Sequence, residues 1–504
     1  MNEGFCHSLG RALLNISVRL SYMGRREDAA VAGSEAVDLY RRLAEDSPAA
    51  FSSDLARSLN DLSIDLSALG RREDALTASQ EAVDVYRQLV RDRPAVFSSD
   101  LARSLSNLSV KLLDLGQPEG ALAASQEAVH IHRQLARYRP TAFSSELARS
   151  LGTLSVGLLA LGQPEDALAA NQEAIDLYRQ LARDRPAAFS FELARSLSNL
   201  SVGLSDLGRP EDALVASQEA VDLSRQLARD RPAAFSSELA RSLGNLSVDL
   251  LALERREDAL AAGQEVVDLY RQLARDHPAA FSSDLARSLF NLSIGLSTLG
   301  RPEDALAASQ EAVDLYRQLA RDYPAAFKSD LASSLNNLSY QLAALGHPED
   351  VLIAVREAVE LYRSLAEDRP AVSNSGLAAS LDTLSDRLSA LGHRESALAA
   401  SKEAVELFRP LVADRPAAHN PGFAEILHNL SLRLSSLDHR DDALAAAREA
   451  VGLFRPLAND IPARFNSMFV DALRQLSSTS RALGNEDDAL AAEREADSIH
   501  LLNA

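Results

Sequence analysis

The sequence has no tryptophan, one cysteine, and aromatic residues at only 5% of its 504 positions. Cys6 has no second thiol in the chain to pair with, which excludes a disulfide-stapled fold and fits a reducing compartment. No apolar run is long enough to cross a bilayer, and residues 1–24 lack the basic start and unbroken apolar stretch of a signal peptide. A cytoplasmic location is therefore expected. Positive charge is in deficit: 52 Lys and Arg face 72 Asp and Glu, a formal charge of −20. That balance opposes phosphate polymers and anionic membrane surfaces, so neither nucleic acid nor membrane is an expected partner, although a local basic stripe is compatible with it. Also missing are a P-loop, a Rossmann glycine pattern and an H-E-x-x-H helix. His130 and His132 stand two apart, so on a helix they point to different faces, and His347, His393 and His439 recur a full repeat apart. No cofactor, no metal and no catalytic residue is expected.

What the chain does contain is repetition. Glycines at 24, 70, 116, 162, 208, 300, 346, 392 and 484 step by 46, or by 92 where Glu254 and Asp438 take the place of Gly. Prolines from Pro48 to Pro462 keep the same step without insertion or deletion. In the unit 101–146, Leu101, Leu105, Leu108, Leu112 and Leu115 form one helix stripe, capped by Ser98, Ser99 and Asp100 and ended by Gly116. Pro118 opens a second helix, where its missing N–H costs nothing. Its apolar stripe runs from Ala121 to Ala136, and Pro140 marks its end. The spacing predicts a shorter helix A, a tight turn, a longer helix B and a loop in each of eleven units, with units in 51–322 most regular and 329–504 more divergent. Neither helix can bury its stripe alone, so the units must stack as one domain over 1–504. Ser17, Ser63, Ser109 and their equivalents up to Ser477 never vary, and Ala75, Ala121, Ala82 and Ala128 recur in helix B; small residues there permit close helix approach. The Asn-x-Ser sequons fall mid-helix and are read as incidental.

The run L-x-N-L-S-x-x-L-x-x-L-G-x-x-E-D-A-L followed by E-A-V resembles the tetratricopeptide repeat. Gly116, Ala121 and Ala128 match that family's small positions; Leu105 stands for its usual Trp, Ser109 for Gly or Ala, and Leu112 for Tyr. The period exceeds the family's ~34 residues and is similar to the long-repeat variants of kinesin light chains and of fungal and actinobacterial regulatory proteins. The resemblance implies an all-α, right-handed α-solenoid (superhelix) of eleven 46-residue helix-turn-helix units that binds proteins and is not an enzyme.

In that family helix A lines the concave surface. Carried over by position, the groove should present Arg57, Arg103, Arg149, Arg195, Arg241 and Arg287, a series that then changes to Ser333, Ala379, Glu425 and Asp471. Beside it should lie Asn107, Asn199, Asn245, Asn291 and Asn337, whose amides can pair with an extended peptide backbone. A β-branched position (Val110, Val156, Val202, Val248) and a small one (Ser106, Gly152, Ser198, Gly244) complete the face. The expected partner is an extended, acidic peptide or protein segment held by charge-assisted donors, the chain itself being a monomer or weakly self-associating. The same residues have structural alternatives. Each Arg has an acid three residues earlier on its helix, each Asn could tie neighbouring repeats together, and the β-branched residues could be core. Glu35, Glu81 and their equivalents in helix B read as solvated or inter-repeat ion pairs. A polar last repeat and an uncapped first one suggest a piece of a longer protein. Rival readings are therefore the sensor arm of a larger signalling NTPase or caspase-like protease protein, or a self-assembling structural array.

Overall fold

The computed structural model describes residues 3–502 except positions 24, 369 and 415, so Gly24 lies outside the described residues. Among the described residues there are 22 α-helices and no strand. The chain divides into two compact units, Met1–Arg255 and Arg256–Ala504.

In the first unit odd-numbered helices are A and even-numbered ones B: α1 (Glu3–Tyr22), α2 (Arg26–Asp46), α3 (Pro48–Ala68), α4 (Arg72–Asp92), α5 (Pro94–Asp114), α6 (Pro118–Tyr138), α7 (Pro140–Ala160), α8 (Pro164–Asp184), α9 (Pro186–Asp206), α10 (Pro210–Asp230) and α11 (Pro232–Ala252). Successive helices pack in chain order. The second unit repeats the plan from α12 (Arg256–Asp276) to α22 (Glu486–Leu502), including α15 (Pro324–Ala344), α17 (Pro370–Ala390) and α19 (Pro416–Ser436).

The helix boundaries correct one expectation. Helix A is not shorter than helix B: α5 and α6 are both 21 residues long. Pro94 and Pro140 do not merely end the helices before them; each occupies the first turn of the next. A proline at that position has the right φ and no N–H to strand. The expected loop shrinks to one extended residue, Arg93 or Arg139, whose N–H closes the preceding helix at 2.9 Å. Ser98 lies inside α5 and donates to the Pro94 carbonyl at 2.7 Å, so it caps nothing. The glycine turn behaves as expected. Gly116 has φ 69°, and Glu254 and Asp438 adopt φ 57° and 62° despite carrying side chains.

The core of each unit is built from positions that repeat. In the first, Leu59, Leu105, Leu151, Leu197 and Leu243 are almost fully buried, at the place where the family often has Trp; in the second, Leu289, Leu335, Leu381 and Leu427 follow suit. Ala75, Ala82, Ala121 and Ala128 are completely buried, as are Ser63 and Ser109. Ser109 Oγ donates to the Ala121 carbonyl at 2.8 Å, which satisfies its hydroxyl where helices A and B touch. Truncating one such leucine removes its burial and leaves a hole, a loss of about 2–5 kcal/mol.

Helix B carries a second repeating device. In the first unit Arg41, Arg87, Arg133 and Arg179 each reach the recurring glutamate of the next helix B, Glu81, Glu127, Glu173 and Glu219, at 2.6–2.9 Å. In the second, the same link joins Arg271–Glu311, Arg317–Glu357, Arg363–Glu403, Arg409–Glu449 and Arg455–Glu495. These glutamates are thus inter-repeat partners. Each pair is half exposed and contributes at most about 1 kcal/mol.

Candidate functional site

Helix A places Arg, Asn and the β-branched residue at i, i+4 and i+7, one face of a 3.6-residue helix. In α5 these are Arg103, Asn107 and Val110. The β-branched stripe is not core: Ile64, Val110, Val156, Val202 and Val248 are 42–59% exposed in the first unit, and Ile294 and Tyr340 are exposed in the second. An aliphatic side chain presented to solvent at the same register in each of the first seven repeats is the unusual feature of this face, because a folded chain ordinarily turns such a row inward.

The arginines are paired locally. Arg103 meets Asp100 at 2.5 Å, and Arg195 meets Glu192 and Arg241 meets Glu238 at the same distance. Arg57 with Asp54, Arg149 with Glu146 and Arg287 with Asp284 form the same one-turn ion pair. Their positive charge is therefore largely cancelled within each helix, although the side chains stay about half exposed. The preceding helix B places a buried side chain beneath these pairs, Tyr86 under Asp100–Arg103 and Tyr178 under Glu192–Arg195, with Ser224 in that place before Arg241. Burial, then the Asp100 carboxylate, pushes the Tyr86 hydroxyl up to about 12 against the pull of Arg103, and Tyr178 beside Glu192 behaves alike. In the third repeat His132 takes the aromatic's place. It is fully buried and sits 2.8 Å from Ser150 Oγ; burial and then Arg149 lower it to about 4.

The asparagines divide. Asn245 donates to the Ser198 carbonyl of the previous helix A at 3.3 Å, and Asn337 to Ser293 Oγ at 2.6 Å and Ser309 Oγ at 3.1 Å. Asn199 and Asn291 are exposed and Asn107 is half-buried, with no hydrogen-bond partner for these three amides among the described residues. Asp61, which holds this position in the second repeat, is raised above the usual carboxylate range by burial, with Arg57 and Arg103 opposing.

The small position lies elsewhere. Ser106 and Ser198 are buried between helices A of neighbouring repeats, bonded to Ser150 and Ser242 at 3.2 Å, and Asn60 donates to Ser104 at 2.5 Å in the same place. This position therefore serves repeat stacking, and its alternation of Ser and Gly was the available sign. In the second unit it becomes Asn336, Asp382 and His428. Asp382 accepts from Asn429 at 2.9 Å and is pushed up to about 7 by burial and by Asp386. Arg433 bridges to Asp386 and to Ser385 Oγ, the latter at 3.2 Å.

Among the described residues no three His, Cys, Asp or Glu side chains come together in a way that could hold a metal, and no helix is long and apolar enough to cross a membrane.

Comparison with known proteins agrees with this architecture. The tetratricopeptide-repeat family model matches residues 55–94, 101–136, 147–185, 193–231 and 239–279. A model described as anaphase-promoting complex subunit 5 matches 266–323 and 377–411. No curated protein matches the sequence. Among solved structures, BtubC (BKLC) from P. vanneervenii is 18% identical over 50% of this chain and 93% of its own, with TM-score 0.42. A putative kinesin light chain with nearly identical TPR-like repeats from Podosopora anserina is 18% identical over 45% of this chain and 98% of its own, with TM-score 0.36. A signal transduction ATPase (STAND) protein with a tetratricopeptide repeat sensor from Pyrococcus horikoshii is 13% identical, over 78% of this chain and 55% of its own, with TM-score 0.46. At these scores the likenesses carry no argument about function. Residues 55–279 thus match the tetratricopeptide repeat, and the same 46-residue period continues through the rest of the chain.

Proposed function

We propose that this protein is a non-enzymatic interaction scaffold that holds an extended protein segment along its helix A face. The observation that supports this reading is the exposed β-branched row, Ile64, Val110, Val156, Val202 and Val248, flanked by the open amides of Asn107 and Asn199. The apolar row supplies desolvation and the amides supply backbone hydrogen bonds, the division of labour by which extended peptides are read. The paired arginines fit positioning of a polar rim more than attraction of acidic charge.

The test compares proteins captured by the wild type and by an Ile64→Glu, Val110→Glu, Val156→Glu variant, with circular dichroism to establish that helicity is kept. A partner that binds directly when purified, and is lost with the variant, is the expected result. Capture that the variant leaves unchanged would remove the helix A face from consideration.

A further inference from the structure

The arginines of the helix A face and of the helix B link in the first unit have acidic partners. Those at the junctions between helix B and the next helix A do not. Arg91 and Arg93, Arg137 and Arg139, and Arg183 and Arg185 are all exposed, and none has a carboxylate within ion-pair distance among the described residues. They face only two acids of their own junctions, Asp92 and Asp184, in a chain whose net charge is −20.

Three of them are held in place. The guanidinium carbons of Arg93, Arg139 and Arg185 lie 5.3, 6.0 and 5.2 Å from the ring centres of Phe97, Phe143 and Phe189, one turn into the following helix A. Stacking fixes the guanidinium plane; Arg93 also donates one N–H to the Ala49 carbonyl at 3.4 Å, which leaves its other N–H groups available. Each such arginine immediately precedes the first turn of helix A, which contains no acidic residue. Arg91, Arg137 and Arg183 end the preceding helix, where a cation complements the helix dipole. That role accounts for one arginine per junction and leaves the stacked one unexplained.

We propose that this junction edge is a docking row for an acidic, extended polypeptide segment, distinct from the helix A face. Helices A of neighbouring repeats touch directly, as the Ser106–Ser150 bond at 3.2 Å shows, so successive arginine pairs step by about 10 Å. An extended chain advances ~3.3 Å per residue, so an acid at about every third position meets one pair per repeat. A nucleic acid fits less well. A duplex carries a charge about every 1.7 Å, far more than six arginines offset by two aspartates can neutralise on an acidic protein.

The probe is a fluorescein-labelled peptide of about twenty glutamates, followed by anisotropy at about 50 mM salt and upward. An oligothymidylate of equal length serves as comparison. The variants are Arg93→Glu/Arg139→Glu/Arg185→Glu, the same three positions changed to Gln, and a charge-matched control, Arg25→Glu/Arg71→Glu/Arg209→Glu, at exposed turns elsewhere. Wild type should bind the glutamate peptide and release it as salt rises. Both edge variants should lose about tenfold or more in affinity, and the control should stay within about threefold. The helix A variant Ile64→Glu/Val110→Glu/Val156→Glu should bind the peptide as wild type does, which separates this proposal from the proposed function. Absence of binding by the wild type, equal losses in the edge and control variants, or tighter binding of the oligothymidylate would overturn it. So would self-association in sedimentation velocity that the edge variants abolish and the glutamate peptide does not compete, because the edge would then belong to a second copy.

Discussion

The helix A faces of the regular and the divergent repeats solve the same electrostatic problem in opposite ways. In the regular repeats an acid and an arginine one turn apart neutralise each other within a single helix, as in Asp100–Arg103, and the helices stack through serines. In the ninth and tenth repeats Gly376 and Gly422 replace the acid, and Ala379 and Glu425 replace the arginine. The ionic pairing moves into the seam between α17 and α19, as Asp386–Arg433, beside Asp382–Asn429. A pair within one helix leaves its repeat interchangeable with any other. A pair across the seam commits two particular repeats to each other. Gly376 has a steric reason as well: a Cβ there would lie 2.7 Å from Tyr362 Cζ, so the ring fills the space a side chain would need.

The largest effects should not distinguish the two regions. Leu105→Ala and Leu381→Ala remove equivalent core side chains, and each should cost about 2–5 kcal/mol in denaturant unfolding. A large inequality would mean that the two cores are not equivalent. The seam should separate the regions. Arg433→Ala strands Asp386 and abandons Ser385, a loss of about 1–3 kcal/mol, whereas Arg103→Ala removes an exposed one-turn pair worth about 0.2–0.5 kcal/mol. Equal losses would refute the contrast. Gly376→Ala should destabilise by about 1–3 kcal/mol through the ring clash. Gly152→Ala, with nothing within 4 Å of its added methyl, should stabilise by about 0.5–1 kcal/mol.

The seam should also respond to pH. Asp382 rises in the folded state from its ordinary 3.8 to about 7, so the folded chain binds more protons than the unfolded chain between those values. Stability is thus lost as pH climbs through that window and is lowest above it. Asp382→Asn should raise the stability of the second unit at pH ~8 and leave it nearly unchanged at pH ~4; hydrogen exchange across 377–434 would locate the gain. A gain of the same size at both pH values would exclude titration of Asp382 as its source. The effect of His132 should be smaller and run the other way. Its lowered value, about 4, makes stability fall as pH drops below its ordinary 6.5, and His132→Phe should blunt that fall in thermal scans.

Much of the fold is legible in the sequence because each signal is repeated until chance is excluded. Leu105 at the core, Gly116 at the turn and Ala121 at the crossing recur with little or no change. The start of helix A is obscured because a proline such as Pro94 ends the helix before it and also opens the one after it, as Pro118 does. The face was harder. Both alternatives for Arg103 were visible, but only coordinates decide whether Asp100 is within reach. Ser106 and Asn107 are adjacent in sequence and serve opposite surfaces, a distinction that depends on how closely neighbouring helices A approach. The exposure of Val110 runs against the ordinary habit of β-branched residues, and no count of hydrophobicity would reveal it. The helix B link was half visible: Arg41 and Glu81 both recur, but their distance of 40 residues is one repeat less six, a spacing that no local rule inspects.

That link has a direction. Within each compact unit, a helix B with neighbours on both sides offers an arginine forward and accepts one backward through its glutamate, so such a 46-residue repeat carries the complement of its own leading end at its trailing end. A gene segment of that length copied in frame would arrive with both joints already matched, whatever its position in the array. Such a protein can change its reach by whole units without inventing a new contact, and point mutation is left to alter only what each unit displays.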